Sequence, residues 1–255
     1  MVTAGPMDVP SNSAAEAQSP RWFTTTHWSV VLTAREQQSP QAAAALERLC
    51  RTYWYPLYAY VRRKGYDAHD SQDLTQEFFA RLLARNYLTV ADRNRGNFRS
   101  FLLGSLEHFL AREWTKAHAQ KRGGGQPLFA LDDLDAENRY QLEPGHELTA
   151  GRIFDRRWAT TLLEQAMARL REAYTEGNKG TLFARLAVFL TGNTPESSYA
   201  EIAASLNMSE GALKVAVHRL RQRYGELLRA EIAQTVAAPD EVDGELQYLF
   251  AVLRD

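Results

Sequence analysis

Residues Ser198 to Leu228 read SYAEIAASLNMSEGALKVAVHRLRQRYGELL, and this stretch decides the fold. Ser198-Tyr199-Ala200-Glu201 has the form of a capping box: the Ser198 hydroxyl accepts the third backbone N–H, and Glu201 reaches back to Ser198. The helix it opens carries Tyr199, Ile202, Ala203 and Leu206 on one face, with small Ala203 where a second helix must cross closely. Asn207 tolerates a left-handed turn, Met208 plugs the corner and Ser209 caps the next helix. Leu213, Val217, Leu220, Tyr224 and Leu228 then repeat as one apolar stripe. Gly211, Val215, His218, Arg219 and Gln222 fall on the opposite side, flanked by Lys214, Arg221 and Arg223.

A basic, exposed second helix behind a tight turn is what docking in a DNA major groove requires. The plainer alternative is a helical hairpin with a solvated basic face. Cap, crossing residue, turn, second cap and basic face agree in register, which favours DNA binding. His218 has no neighbouring ligands in the sequence to complete a metal site, so it reads as a phosphate or base contact.

Working towards the N-terminus, Leu46 to Leu88 predicts two helices. Leu49, Tyr53, Leu57 and Val61 mark the first, with Pro56 expected to kink it. In the second, Leu74, Phe78 and Leu82 face inward, and Asp73, Gln76 and Glu77 share an outer strip. Asp73 and Glu77 are like charges four apart, mildly unfavourable unless a basic partner meets them. A solvated acidic face is the alternative. A long helix then runs from Phe98 to about Arg122, with Phe98, Phe101, Leu102, Leu106 and Phe109 as its core stripe. Arg99, Arg112, Lys116, Gln120, Lys121 and Arg122 sit elsewhere on it, with Trp114 among them. An aromatic beside cations can stack an unpaired base while the cations hold phosphates. A core Trp with snorkelling neighbours fits the pattern equally well.

No alternating β-branched pattern appears, so the expected class is all-α. The 255 residues favour two small domains. The reading divides the chain into an arm (1–20), a helical aromatic-rich domain (21–122), a flexible acidic linker (123–155), a helix-turn-helix domain (156–235) and a tail with one more helix (236–255). Gly123-Gly124-Gly125 and Pro127 open the linker. As a coil its 33 residues would span about 30 Å, and about 110 Å when stretched.

The net charge of −1 hides a partition. Arg93 to Arg122 holds seven bases against two acids, whereas Gly123 to Ala150 holds six acids against one base. The linker acids can shield basic helices in the free chain. Cys50, the one cysteine, excludes an internal disulfide and lies in an apolar helical pattern, as a buried thiol does. It fits a reducing cytoplasm. Met1 to Pro20 lacks a basic start and an apolar core, no targeting signal is visible, and no apolar run reaches membrane-spanning length. No direct membrane insertion is expected. Gly123 to Gly125 lacks the Lys-Ser/Thr of a P-loop, the six His residues show no metal spacing, and no nucleophile-base pair is evident. Neither an enzyme, a cofactor nor a metal is expected.

The order of these pieces resembles bacterial RNA polymerase sigma factors of the extracytoplasmic-function group, in a longer-chain subgroup. Tyr55-Pro56-Leu57-Tyr58 and Asp73-Leu74-Thr75-Gln76-Glu77-Phe78 resemble that family's polymerase-binding helices. Phe98 to Arg122 is similar to its promoter-melting and minus-ten-reading segment, and Ser198 to Leu228 to its minus-thirty-five-reading hairpin. Two stretches, Trp22 to Trp28 and Lys121 to Gly125, look like the longer-chain subgroup. The family's Leu-Pro and short helix before the hairpin are replaced here by Leu170-Arg171, Tyr174 to Gly180, and a helix expected at Thr181 to Leu190.

The resemblance implies a sigma-two-like bundle and a sigma-four-like helix-turn-helix domain, with core RNA polymerase and promoter DNA as partners. An anti-sigma factor or other signalling partner is a further candidate. Asp73, Gln76 and Glu77 would dock polymerase. Arg99, Arg112, Trp114, Lys116, Gln120, Lys121 and Arg122 would hold the minus-ten region. Ser209, Lys214, Val215, His218, Arg219 and Gln222 would read the upstream element. The alternative is a stand-alone two-domain regulator, which would bind duplex DNA by itself, usually as a dimer. The tail helix is expected to pack on the second domain.

Overall fold

The computed structural model describes residues 40–84, 98–119, 133–142, 148–190, 199–236 and 238–254. The described residues are helical with connecting turns and contain no strand, so the chain is all-α there. We number the helices α1 (Pro40–Arg63), α2 (Ala68–Ala84), α3 (Phe98–Ala119), α4 (Asp133–Gln141), α5 (Ala150–Glu176), α6 (Gly180–Leu186), α7 (Tyr199–Ser205), α8 (Glu210–Ala233) and α9 (Glu241–Arg254).

Helix α1 is the hub. Every residue from Tyr53 to Val61 is buried, so this stretch is covered on all sides rather than along one stripe. It packs against α2, α3, α4 and α5. The helix continues past Pro56 to Arg63. Cys50 is buried in the same core, and burial pushes its thiol pKa up, as an inert core thiol requires.

The other axis is α5. Ile153, Phe154, Trp158, Leu162, Ala166 and Leu170 lie buried along it at helical spacing. Thr149 caps its start by accepting the Arg152 N–H at 3.3 Å. Its end is closed by Gly177 and by Asn178, whose φ of 55° turns the chain and lets the Lys179 N–H donate to the Tyr174 carbonyl at 2.7 Å. One side of α5 meets α1, and α8 and α9 also pack on it. The two regions expected to be separate domains therefore share one core.

The segment expected to be a flexible coil contains helix where it is described. Residues 133–141 form α4, and 150–155 are already the first turns of α5. Helix α4 is held because Ala136 is buried, Glu137 pairs with Arg62 at 2.8 Å, and the Tyr140 ring meets Tyr58 edge-on. The linker acids predicted to shield basic helices include this Glu137, which instead clips α4 to α1. The helix expected at Thr181 to Leu190 starts one residue earlier, as α6, and finishes in a 3-10 turn over Ala187–Phe189. The tail helix packs on α5 and α8 as expected, through Val242, Glu245 and Leu249. Phe250 and Leu253 of the same helix stay exposed, at 45% and 38%. Among the described residues no helix is long and apolar enough to cross a membrane.

Candidate nucleic-acid interface

Helices α7 and α8 form the hairpin, with its turn as the sequence predicts. Asn207 takes a φ of 55°, and the Met208 N–H donates to the Ala203 carbonyl at 3.0 Å. The Ser209 hydroxyl caps α8 by accepting the Ala212 N–H at 3.2 Å. Ala203 is buried at the crossing, where a larger side chain would push the helices apart. Ser198, the expected cap of the first helix, lies outside the described residues.

The apolar stripe of α8 buries Leu213, Val217, Leu220 and Leu228, with Tyr224 half-buried. The helix runs beyond Leu228 to Ala233 because Ile232 and Ala233 continue that stripe into the core. Ser209, Lys214, Val215, His218, Arg219 and Gln222 are all exposed. All six lie on α8 or at its cap, so the structure brings them together on one helix. Val215 is an aliphatic residue half exposed among polar neighbours.

The charges on this face differ in availability. Lys214 pairs with Glu210 at 2.7 Å, which raises the lysine pKa and keeps its charge firmly in place. Arg223 pairs with Glu226 at 3.0 Å, and Gln222 leans on the same carboxylate at 3.4 Å. Arg221 donates to the Phe189 carbonyl through two nitrogens, at 3.1 and 3.3 Å, and ties the 3-10 turn to α8. The sequence counted Arg221 simply as a flanking base and missed this structural duty. Arg219 and His218 make no hydrogen bond or ion pair with any described residue.

On α3 the expected contacts separate. Phe98, Leu102, Leu106 and Phe109 are buried, and Phe101 half-buried, as the stripe predicts. Arg112 is exposed, and Trp114 is 60% exposed, which excludes the core reading of that ring. Lys116 lies on α3 but its side chain is outside the described residues, as are Gln120, Lys121 and Arg122 entirely.

Arg99 corrects the expectation that it faces DNA. Its side chain is 11% exposed and donates to Asp155 of α5 at 2.8 Å and to Glu245 of α9 at 3.1 Å. Its guanidinium lies 4.2 Å from the Tyr248 ring centre and 4.9 Å from that of Trp158. Burial works against its charge, but the Glu245 hydrogen bond and the charges of Glu245 and Asp155 outweigh this and move its pKa up. The side chain is buried because Asp155 of α5 and Glu245 of α9 both reach the first turn of α3, whose own packing is on α1 and α2. No sequence spacing signals that arrangement.

The three residues of the strip expected on α2 differ in exposure. Asp73 is exposed, with His69 at 3.3 Å, while Gln76 and Glu77 are half-buried. Glu77 accepts from Arg81 at 2.6 Å, and Arg81 also reaches Glu113 of α3 at 2.6 Å. Glu77 therefore belongs to a bridge between α2 and α3. No family model, no curated protein and no solved structure matches the chain.

Proposed function

We propose that the chain is a sigma factor, which binds core RNA polymerase and directs promoter recognition and transcription initiation. The observation that carries this reading is the exposed face of α8. Ser209, Lys214, Val215, His218, Arg219 and Gln222 stand together there behind a tight, capped turn. The exposed Arg112 and Trp114 on α3 support a second contact, to unpaired DNA. Asp73, Gln76 and Glu77 supply an acidic docking strip for polymerase. The sigma-two-like and sigma-four-like parts would separate on polymerase, with the acidic linker bridging them.

With a net charge of −1, affinity for DNA from charge alone is modest, so polymerase has to present both contacts. The test is reconstituted transcription with core polymerase across a random promoter library. Promoter-dependent initiation is the expected result, and its absence overturns the proposal. A stand-alone regulator is the second reading, favoured by the single core shared by α1 and α5. A gel shift of duplex DNA without polymerase separates the two, since a regulator shifts its site unaided.

A further inference from the structure

The tail helix α9 turns an uncharged face outward. From Gly244 to Leu253 it carries one charged residue, Glu245, and that residue is buried. Gly244, Gln247 and Ala251 stand at the centre of the face turned from the core, with Tyr248 on one flank and Phe250 on the other, and all five are exposed. A helix lying on a protein surface normally turns charged residues to the water. Tyr248, Phe250 and Leu253 are three of the six large apolar side chains left exposed among the described residues, so apolar exposure is concentrated on this one helix.

A groove runs beside that face. Helix α9 and the start of α5 enclose a cleft of about 140 Å³, walled by Leu148, Arg152, Arg156, Tyr248, Ala251 and Val252. Small-molecule pockets run from about 300 Å³ upwards, so this cleft suits one side chain of a larger partner rather than a whole ligand. Asp155 also reaches the cleft, but its charge is matched by Arg99 at 2.8 Å, and the Tyr248 hydroxyl donates to it at 2.7 Å. Arg152 and Arg156 therefore set the sign at the rim. Both are exposed, and they lie one turn apart on α5, where like charges repel. Arg152 stands in the first turn of α5, which holds no acid and where the helix dipole disfavours a cation. The Arg156 guanidinium makes no hydrogen bond or ion pair with any described residue. An anionic partner would relieve both costs.

We propose that this face docks an acidic amphipathic helix of a partner protein. The partner's apolar stripe lies along Tyr248, Ala251 and Phe250, one of its apolar side chains enters the cleft, and its carboxylates meet Arg152 and Arg156. A groove between helices takes the apolar face of a helix. The run from Gly244 to Leu253 is about 15 Å long, enough for some three turns of the partner. Gly244 and Ala251, two turns apart, have no bulk to hold a second helix away, and the space over Gly244 is open. The proposal does not depend on how the α8 face is read.

The test screens the full-length protein against a displayed library of peptides about 16 residues long, apolar at helical spacing and carrying glutamate or lysine with equal chance elsewhere. Glutamate should exceed lysine about threefold or more among bound clones, and one such clone is titrated by fluorescence anisotropy. Ala251→Arg places a long side chain on the face. Although it adds a positive charge, it should weaken the clone about tenfold or more. The double variant Arg152→Gln with Arg156→Gln should weaken it about tenfold and flatten its dependence on salt. If Ala251→Arg loses helicity, Phe250→Ser is read in its place. The absence of any binding clone, or of a glutamate excess, overturns the proposal. Unchanged affinity in either variant overturns it as well, because the acidic peptide then sits elsewhere, such as on α8. Sedimentation of the free chain should show a monomer. A dimer that Ala251→Arg dissolves would give the face to a second copy and overturn the acidic partner.

Discussion

The indole N–H of Trp158 donates to the hydroxyl of Tyr53 at 3.0 Å, joining α5 to α1 across 105 residues of sequence. Both side chains are fully buried, and Phe98 of α3 meets the Tyr53 ring edge-on at 5.1 Å. Burial pushes the Tyr53 pKa up, so its hydroxyl stays protonated at any physiological pH. Tyr53→Phe keeps the ring and leaves the Trp158 N–H unpaired, at a cost of about 1–3 kcal/mol. Urea unfolding should show a lower midpoint with an unchanged slope. Because the core is shared, helical signals from both halves should be lost in one transition.

The hairpin turn makes a separate prediction. Asn207 holds a φ of 55°, which a side chain without a polar end tolerates poorly. Asn207→Ala is expected to cost about 1 kcal/mol and Asn207→Gly only a few tenths. Thermal unfolding of the two variants should rank them in that order.

Acid should loosen α4 through Glu137. Its two oxygens accept from Arg62 at 2.8 and 2.9 Å, and it also accepts from the Tyr58 hydroxyl. The Arg62 hydrogen bonds, against the cost of burial and with help from Tyr58, hold its carboxyl below the usual glutamate range. A lowered folded-state pKa gives stability that is present above the unfolded value, near ~4.3, and lost as pH falls through the folded value. Glu137→Gln should therefore unfold more easily than the parent at pH 7. The gap should close below about pH 4 as the parent's carboxyl protonates. Denaturation midpoints measured from pH 7 down to about 3 check this.

On the proposed function, the α8 face predicts a graded effect on DNA. Arg219 is exposed and makes no bond with a described residue, whereas Arg221 is engaged by the Phe189 carbonyl. Arg219→Ala should weaken binding to the upstream element by about 1–3 kcal/mol with little effect on stability. Arg221→Ala should lower stability first, by loosening the 3-10 turn. Promoter binding on polymerase and thermal unfolding, run on both variants, distinguish the two roles. Unchanged promoter preference in Arg219→Ala would count against its placement at a base.

Local patterns were legible where one element settles them. The spacing of Leu213, Val217 and Leu220, the cap at Ser209 and the left-handed Asn207 all follow from residue type and helical period, and the structure has them so. The stripe of α3 was readable for the same reason. Arg99 was not, because a base at the start of a helix looks alike whether it meets phosphate or two acids from distant helices. Trp114 was readable only as an ambiguity, which its 60% exposure decides.

By itself, then, the sequence determined an all-helical chain and a capped hairpin with a basic outer face, since propensity, capping and amphipathic period act within a few turns. The tertiary structure alone decided that α1 and α5 share one core, that residues 133–141 are docked as a helix, and that Arg99 is clasped by Asp155 and Glu245. Those outcomes depend on burying Tyr53 against Trp158, 105 residues on, and Glu245 against Arg99, 146 residues back. Such pairings are selected by the packing of the whole molecule, and short-range periodicity does not encode them.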